Sequence, residues 1–204
     1  GVSYGALGMA HHSTQDIAAY RAIPNLDVIL PCDRFESVEV FRDLLSRPRP
    51  AYVRVGRNPV EDVFQGPRTG YRPGLCTMLH QGNDACIIAC GEMVLPALQA
   101  AQSLKTEGLG LRVLDMHTIK PLDVEAIVAA AQECGRIFTV EEHVPNGGLF
   151  GAVAEVTARL CPVKVTAFSL PDEPAIAGKS QEVFSYYGLS AQALHHEICK
   201  AVAK

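Results

Sequence analysis

The fold is decided by a stretch that begins with Ala85-Cys86-Ile87-Ile88-Ala89-Cys90, continues with a helical pattern over residues 93–106 and ends with Leu111-Arg112-Val113-Leu114-Asp115. Both short apolar runs are typical of buried strands. The alternation then continues, with helices predicted over residues 122–133, 148–160 and 190–202 and strands predicted over residues 136–140 and 163–169. Strands that alternate with helices of about ten or more residues indicate an α/β protein with a largely parallel sheet and helices on both faces.

The chain upstream of this stretch carries weaker signals of the same kind. Ser13 is a candidate N-cap for a helix that Pro24 ends, and Asp33 is a candidate N-cap for a second helix. Strands are predicted over residues 26–30 and 51–56. Because this first part is incomplete as an α/β sheet, we expect the apolar residues 26–30 to expose hydrophobic surface and to favour self-association.

Between residues 58 and 84 the alternation is interrupted. Seven glycine and proline residues fall in this segment and prevent a long helix, although a short strand fits at residues 76–79. We therefore expect a first unit at residues 1–62, a linker at residues 63–83 and a complete second unit at residues 84–204.

Composition and charge exclude several classes of function. The chain has 204 residues, 48% of them hydrophobic, which is enough for a sizeable core. Its 18 basic and 22 acidic residues give a net charge of −4, and the basic residues form no compact run, which argues against a nucleic-acid or membrane-surface partner. The longest apolar runs fall far short of the roughly 20 residues that span a bilayer. We expect a cytoplasmic protein with no membrane association.

The seven cysteines are an odd number and include no CxxC pair. Several lie within apolar runs, so we predict free, buried thiols in a reducing compartment rather than disulfides. The seven histidines do not fall at ligand spacings beside these thiols, and no metal site is predicted.

A histidine pair near the start of the chain is the best candidate for chemistry. His11 and His12 follow Gly8 in a loop that opens a predicted helix, and imidazole is the side chain best suited to proton transfer near neutral pH. A second candidate, the turn Gly147-Gly148, follows a predicted strand but lacks the spacing of phosphate-binding loops. A tight turn at the start of a helix is favoured there over an anion site.

Three groups of motifs, taken in order along the chain, resemble the transketolase family of thiamine-diphosphate enzymes. The first group is Gly8-Met9-Ala10-His11-His12-Ser13 with Asp16, Arg21, Ile23-Pro24-Asn25 and residues 31–36. The second is Tyr52-Val53-Arg54-Val55-Gly56-Arg57. The third is residues 114–123, which contain Lys120-Pro121-Leu122-Asp123, with Val140-Glu141-Glu142-His143 and Gly147-Gly148. The first two look like the latter part and the last strand of the family's pyrimidine-binding domain, and the third looks like its C-terminal domain. The resemblance implies a partial pyrimidine-binding domain followed by a complete three-layer C-terminal domain with a mostly parallel sheet.

The resemblance also implies roles for individual residues. His11 matches the family's catalytic histidine beside the cofactor's aminopyrimidine and the reacting carbons, where an imidazole can move a proton. Arg57 matches an arginine that binds a sugar phosphate, and His12, which is shared with the deoxyxylulose-phosphate synthase branch and with split transketolases, is expected to contact substrate. Ala6 and Leu7 depart from the pattern, because single-chain transketolases carry an acidic residue there.

Two purely structural roles compete with these expectations. His11 could cap the helix that is predicted to begin near Ser13, and Arg57 could pair with Asp62 on the surface.

The resemblance implies thiamine diphosphate and magnesium as cofactors of the complete enzyme. No cofactor-binding or metal-binding residue is assigned to this chain, because the family's activating glutamate and its diphosphate-binding domain match no segment here. We therefore interpret the chain as the C-terminal part of a larger catalytic subunit that binds no cofactor alone. The expected partners are sugar phosphates, a diphosphate-binding domain or subunit, and further copies of the chain in a homo-oligomer.

The expected function is transfer of a two-carbon ketol unit between sugar phosphates by the complete enzyme, a transferase, with the isolated chain inactive. Within the same class, deoxyxylulose-phosphate synthase and the beta chain of a 2-oxoacid dehydrogenase are alternatives. A noncatalytic α/β module that binds a partner chain or a regulatory ligand is the alternative from a different class.

Overall fold

The computed structural model describes residues 1–67 and 70–202 and contains two sheets with helices around them. The strands are β1 (Asp27–Ile29), β2 (Ala51–Val53), β3 (Thr77–His80), β4 (Ala85–Ala89), β5 (Leu111–Asp115), β6 (Thr118–Lys120), β7 (Arg136–Val140) and β8 (Lys164–Phe168). The α-helices are α1 (Asp16–Arg21), α2 (Arg34–Ser46), α3 (Val94–Thr106), α4 (Val124–Cys134), α5 (Leu149–Leu160), α6 (Ser180–Tyr186) and α7 (Ala191–Val202). Short 3-10 helices cover Gly5–Ala10 and Gly91–Met93.

The larger sheet has the strand order β3-β5-β4-β7-β8, in which only β3 runs antiparallel to its neighbour. Helices α3 and α7 pack together on one face, and α4 and α5 pack together on the other. Successive residues of β4 alternate between the two cores, since Ile87 belongs to the first and Ile88 to the second. The predicted three-layer arrangement with a mostly parallel sheet is confirmed.

The smaller sheet has the order β2-β1-β6, with β1 parallel to β2 and antiparallel to β6. Strand β6 belongs to the segment after β5, so the later part of the chain completes the sheet of the earlier part. Val28 and Ile29 are fully buried and Leu30 is 3% exposed. The expectation that residues 26–30 expose hydrophobic surface is therefore wrong, because Val28 and Leu30 pack into a core shared with β4 and β5, and Ile29 packs into a core with Val40 of α2.

One local prediction is wrong, two short elements were not predicted, and one predicted helix cap is confirmed. Helix α1 begins at Asp16 after Gln15, so Ser13 is not its N-cap. Strand β6 is only three residues long and helix α6 only seven, and the sequence pattern predicted neither. Asp33 is the predicted cap of α2, since its carboxylate accepts from the Glu36 backbone N–H at 2.8 Å.

The seven cysteines are free, as predicted, but only four of them are buried, since Cys76 and Cys161 are partly buried and Cys199 is exposed. Burial raises the pKa of Cys86 and Cys90 well above the ordinary thiol value, so both remain unreactive thiols. In the described part of the chain, every helix is too short or too polar to cross a bilayer.

Candidate functional site

Tyr4 brings the two predicted site residues together. Its ring meets the His11 ring edge-on, with 5.3 Å between the ring centroids, and the guanidinium carbon of Arg57 lies 5.1 Å from the Tyr4 centroid. All three side chains are exposed. A planar cation held against an aromatic ring keeps its edge N–H groups available to a ligand. The structure thus presents an imidazole and a permanent positive charge on one accessible surface.

The backbone beside Arg57 is fixed by Ser3. The Arg57 N–H donates to the Ser3 hydroxyl at 3.0 Å, and the Ser3 carbonyl accepts from the Asn58 amide at 2.7 Å. The same carbonyl accepts from the Ser180 hydroxyl at 2.6 Å, at the start of α6. Ser3 therefore joins the Tyr4 segment, the Arg57 segment and the later part of the chain.

The His11 loop depends on Gly8. Gly8 has φ +61° and ψ −154°, a backbone conformation that disfavours other residues, and its carbonyl accepts from the backbone N–H groups of His11 at 2.9 Å and His12 at 3.1 Å. Helix α1 begins after this turn, its N-cap is Gln15, and no side chain caps it. His11 does not cap that helix, so the structural alternative for His11 is wrong.

The structural alternative for Arg57 is also wrong. Asp62 is bound by Arg34, whose Nε lies 3.0 Å from both carboxylate oxygens and whose Nη2 lies 2.8 Å from Oδ2. Asp62 therefore pairs with Arg34 rather than with Arg57.

His12 is not among the residues that contact the Tyr4 ring, namely His11 and Arg57, which together with Tyr4 form the Tyr4 cluster. It lines a cavity of about 290 Å³ together with Met9, Thr14, Asp172 and Glu173, among others. Burial lowers the pKa of His12, against the opposing influence of the Gly5 carbonyl, so the imidazole is neutral at neutral pH. A contact between His12 and substrate stays a prediction.

Arg54, three residues before Arg57, forms a buried ion-pair network with Asp16 and Glu142. Arg54 binds the Glu142 carboxylate at 2.8 Å, the Glu142 carbonyl at 2.7 Å and the Asp16 carboxylate at 3.3 Å. The Arg54, Asp16 and Glu142 side chains are only 10%, 4% and 6% exposed. Burial lowers the pKa of Arg54, but the charges of Glu142 and Asp16 outweigh burial and raise it overall. The motif containing Arg54 was recognised in the sequence, but this role was not predicted.

Further motif residues are structural. The Lys120 ammonium donates to the Arg21 carbonyl at 3.0 Å and to the Ile23 carbonyl at 2.5 Å, which closes the end of helix α1. The Arg21 guanidinium in turn donates to the Gly147 carbonyl at 2.7 Å. These bonds tie the small sheet and its helix to the turn before α5.

The turn Gly147-Gly148 is a tight turn, as the sequence favoured. The Glu141 side chain accepts from the backbone N–H groups of Leu149 at 2.6 Å and Phe150 at 2.8 Å, so an internal carboxyl group already occupies the amides at the start of α5. A Cβ at Gly148 would overlap this carboxylate. Burial raises the pKa of Glu141 to about 7, although the two N–H groups oppose that shift.

Cys32, Glu36 and Asp115 form a buried group whose potential ligand atoms lie within 4.8 Å of one another. The Cys32 thiol donates to Asp115 at 3.7 Å, and the Cys32 backbone N–H donates to Glu36 at 2.9 Å. Burial raises the pKa of Cys32, and the Asp115 charge adds to the shift, so the sulfur stays a thiol. Because metal ions bind the thiolate, we interpret the group as a hydrogen-bonded network within the core.

Comparison with known families matches this architecture in two segments. Residues 1–61 match the transketolase pyrimidine binding domain, and residues 74–194 match the transketolase C-terminal domain. The chain belongs to the transketolase family, and the resemblance drawn from its motifs is confirmed.

Individual relatives agree with this assignment. The chain is 46% identical over 200 residues to a subunit of the apulose-4-phosphate transketolase of Phocaeicola vulgatus, across 98% of this chain and 62% of that protein. It is 34% identical over 194 residues to 1-deoxy-D-xylulose-5-phosphate synthase 2 of Geobacter sulfurreducens, across 93% of this chain and 31% of that protein. A solved structure of a split gene transketolase, an inactive beta4 tetramer, superposes with a TM-score of 0.87 at 36% identity, across 95% of this chain and 62% of that one. The chain thus spans less than two thirds of these relatives.

Proposed function

We propose that this chain is the substrate-facing part of a split-type transketolase, and that the complete enzyme transfers a two-carbon ketol unit between sugar phosphates. The observation that carries the proposal is the placement of His11 and Arg57 against the exposed Tyr4 ring. The high similarity to a protein named as one subunit of a transketolase supports it. We propose the division of the chain at residues 1–62, 63–83 and 84–204 as its domain organisation, with strand β3 at the end of the linker paired to β5 of the second unit.

Each exposed side chain has a defined task in this proposal. Arg57 binds the substrate phosphate, because a guanidinium stays charged at all relevant pH values and offers parallel N–H donors to phosphate oxygens. The His11 imidazole forms a hydrogen bond with a substrate hydroxyl. It accepts the hydroxyl proton in one step of the reaction and returns a proton in another. His12, in the neighbouring cavity, contacts substrate groups further from the phosphate.

Thiamine diphosphate supplies the carbanion chemistry when it is bound in enzymes of this family. The turn Gly147-Gly148, the anion site considered from the sequence, does not fit the diphosphate, since Glu141 already occupies the N-terminus of α5. We therefore assign the cofactor and magnesium to a diphosphate-binding partner domain or subunit and derive no step through them here. It follows that the isolated chain is inactive, while assembly into a homo-oligomer and a cytoplasmic location stay predictions.

Deoxyxylulose-phosphate synthase is the second candidate, because two relatives carry that name and because the resemblance implies that this branch shares His12. The two reactions differ in their products. Ketol transfer between sugar phosphates releases no carbon dioxide, whereas the synthase decarboxylates pyruvate.

The proposal is tested by reconstituting the complete enzyme and offering it pyruvate with glyceraldehyde phosphate or, separately, a ketose phosphate with an aldose phosphate. Apulose 4-phosphate belongs among the ketose phosphates, since it gives the bacterial relative its name. We expect a new ketose phosphate without carbon dioxide. Release of carbon dioxide from pyruvate together with formation of deoxyxylulose phosphate would establish the synthase instead, and no turnover with any pair would leave the noncatalytic module as the better account.

A further inference from the structure

The larger sheet has a topological switch point between β4 and β7. From β4 the chain passes through α3 to β5 on one side, whereas from β7 it passes through α5 to β8 on the other side. The connections diverge at the carboxyl ends of these neighbouring strands and leave a crevice there. In open α/β sheets this crevice is the usual place for a ligand.

Here the crevice is occupied by a side chain of the small sheet. Its walls come from Cys90, Gly91, Glu92 and Glu142 after strands β4 and β7, and Arg54 enters it just beyond β2. The space that remains is about 10 Å³, close to the minimum for one water molecule. Arg54 therefore fills the position that a ligand takes in related architectures.

Arg54 also links the two segments that carry the candidate site. It lies three residues before Arg57 on the same extended segment, and it contacts Asp16, the first residue of the helix that follows the His11 loop. The Tyr52 hydroxyl donates to the same Asp16 carboxylate at 2.6 Å. One buried guanidinium thus holds the Arg57 segment and the His11 segment against the end of β7.

The backbone between Arg54 and Arg57 is held from the other side as well. Gly56 packs so closely on the Glu92 carboxylate that a Cβ at Gly56 would overlap it. Glu92 and Glu142 both belong to the crevice walls, so the larger sheet contacts the Arg57 segment at two successive points.

We propose that Arg54, bound by Glu142 in the switch-point crevice, is a positioning residue that sets the placement of Arg57 relative to His11. The larger sheet uses its ligand crevice for an internal side chain, and the C-terminal domain thereby supports the substrate-binding surface. The kinetic consequences of this inference rest on the proposed function, whereas its structural consequences rest on the Arg54 contacts alone.

The test replaces Arg54 in the whole chain assembled with its partner. Arg54→Met removes the charge, and Arg54→Lys keeps it but cannot reach three acceptors with the same geometry. Arg112→Met is the matched control, because Arg112 is 7% exposed and binds Glu133 and Asn83 at the opposite end of the sheet. Each variant is assayed with a phosphorylated acceptor sugar and with its unphosphorylated analogue, and amide hydrogen exchange is followed over residues 4–12 and 55–58.

We expect Arg54→Met to raise KM for the phosphorylated acceptor at least tenfold, with a smaller change for the analogue, and Arg54→Lys to give an intermediate effect. Exchange over residues 4–12 and 55–58 should accelerate in both variants and stay unchanged in the control. If Arg54→Met does not fold, Arg54→Lys carries the test. A fall in kcat with KM unchanged, or equal effects of Arg54→Met and Arg112→Met, would reduce Arg54 to a stability residue and overturn the inference.

The exchange readout separates this inference from the proposed function. If the wild-type assembly transfers no ketol unit, the proposed function fails, and accelerated exchange confined to the two segments still supports the positioning role. Unchanged exchange over these segments in the Arg54 variants overturns it even in an active transketolase.

Discussion

The Arg57 guanidinium lies against the ring of Tyr4, with 5.1 Å between the guanidinium carbon and the ring centroid. The two residues are far apart in the sequence, and the hydrogen bond from the Arg57 N–H to the Ser3 hydroxyl holds their segments side by side. Because the same ring also meets His11, the position of Tyr4 determines how the charge and the imidazole face a shared ligand.

Replacing Tyr4 should therefore weaken substrate binding. Tyr4→Ala removes a cation–π contact worth about 0.5–1 kcal/mol at an exposed site and frees the Arg57 side chain, so we expect KM for the phosphorylated sugar to rise severalfold. Tyr4→Phe keeps the ring and should behave like the wild type. Steady-state kinetics of the complete enzyme measure both, and an unchanged KM in Tyr4→Ala would show that the ring does not orient Arg57.

Replacing Arg57 should remove the preference for a phosphorylated sugar. Hydrogen bonds to charged groups contribute roughly 1.5–3 kcal/mol each, so Arg57→Met should raise KM for the phosphorylated substrate about 10- to 100-fold and leave the unphosphorylated analogue unaffected. Arg34→Met is the control, since the Arg34 side chain is 72% exposed and forms its ion pair with Asp62. Equal losses for both sugars would contradict a phosphate-binding role.

Replacing His11 should act on kcat. Proton transfer by a positioned side chain typically contributes 10²–10⁴-fold, so His11→Ala should lower kcat by about that factor with a smaller change in KM. The fold should persist, because His11 is exposed and its loop is held through the Gly8 carbonyl. Circular dichroism checks the fold, and a correctly folded His11→Ala enzyme with wild-type kcat would exclude a catalytic role.

The buried Glu141 should make stability depend on pH. Its pKa is near its ordinary value of about 4.5 in the unfolded chain and is raised to about 7 in the folded chain, mainly by burial, against the Leu149 and Phe150 N–H groups and the charges of Arg54 and Arg21. The folded state then binds more protons than the unfolded state between these values, so this group lowers stability as pH rises from about 4.5 to 7.

The measurement compares the free energy of unfolding of the wild type and Glu141→Gln by urea titration at several pH values. The difference between them should shift by up to roughly 3 kcal/mol across this interval, with the wild type losing stability relative to the variant as pH rises. A pH-independent difference for Glu141→Gln would contradict the raised pKa.

The isolated chain should not bind thiamine diphosphate. The amides at the start of α5 are held by Glu141, and the proposed cradle belongs to a partner. Titration calorimetry with thiamine diphosphate and magnesium should give no stoichiometric heat with the chain alone. Stoichiometric binding would show that the chain carries its own cofactor site.

The larger sheet could be predicted from the sequence because its strands are apolar runs separated by long helical patterns. The predicted bounds of the strands at residues 111–115 and 136–140 coincide with β5 and β7. Strand β6 could not be predicted in this way, since three residues carry no periodicity and its partner β1 is remote in the chain.

The candidate site could likewise be predicted only in part from the sequence. His11 and Arg57 were found through motifs that match a known family, whereas Tyr4 and Arg54 were missed because their roles arise from contacts between segments distant in sequence. The ion pairs of Arg54 connect residues 16, 54 and 142, and no local pattern predicts that these three residues meet.

A crystal structure of the complete assembly with a sugar phosphate bound tests the central claim most directly. We predict that the phosphate lies within hydrogen-bonding distance of the Arg57 guanidinium and that a hydroxyl at the reacting end contacts the His11 imidazole. A phosphate bound away from Arg57, with His11 facing solvent or another protomer, would contradict the account.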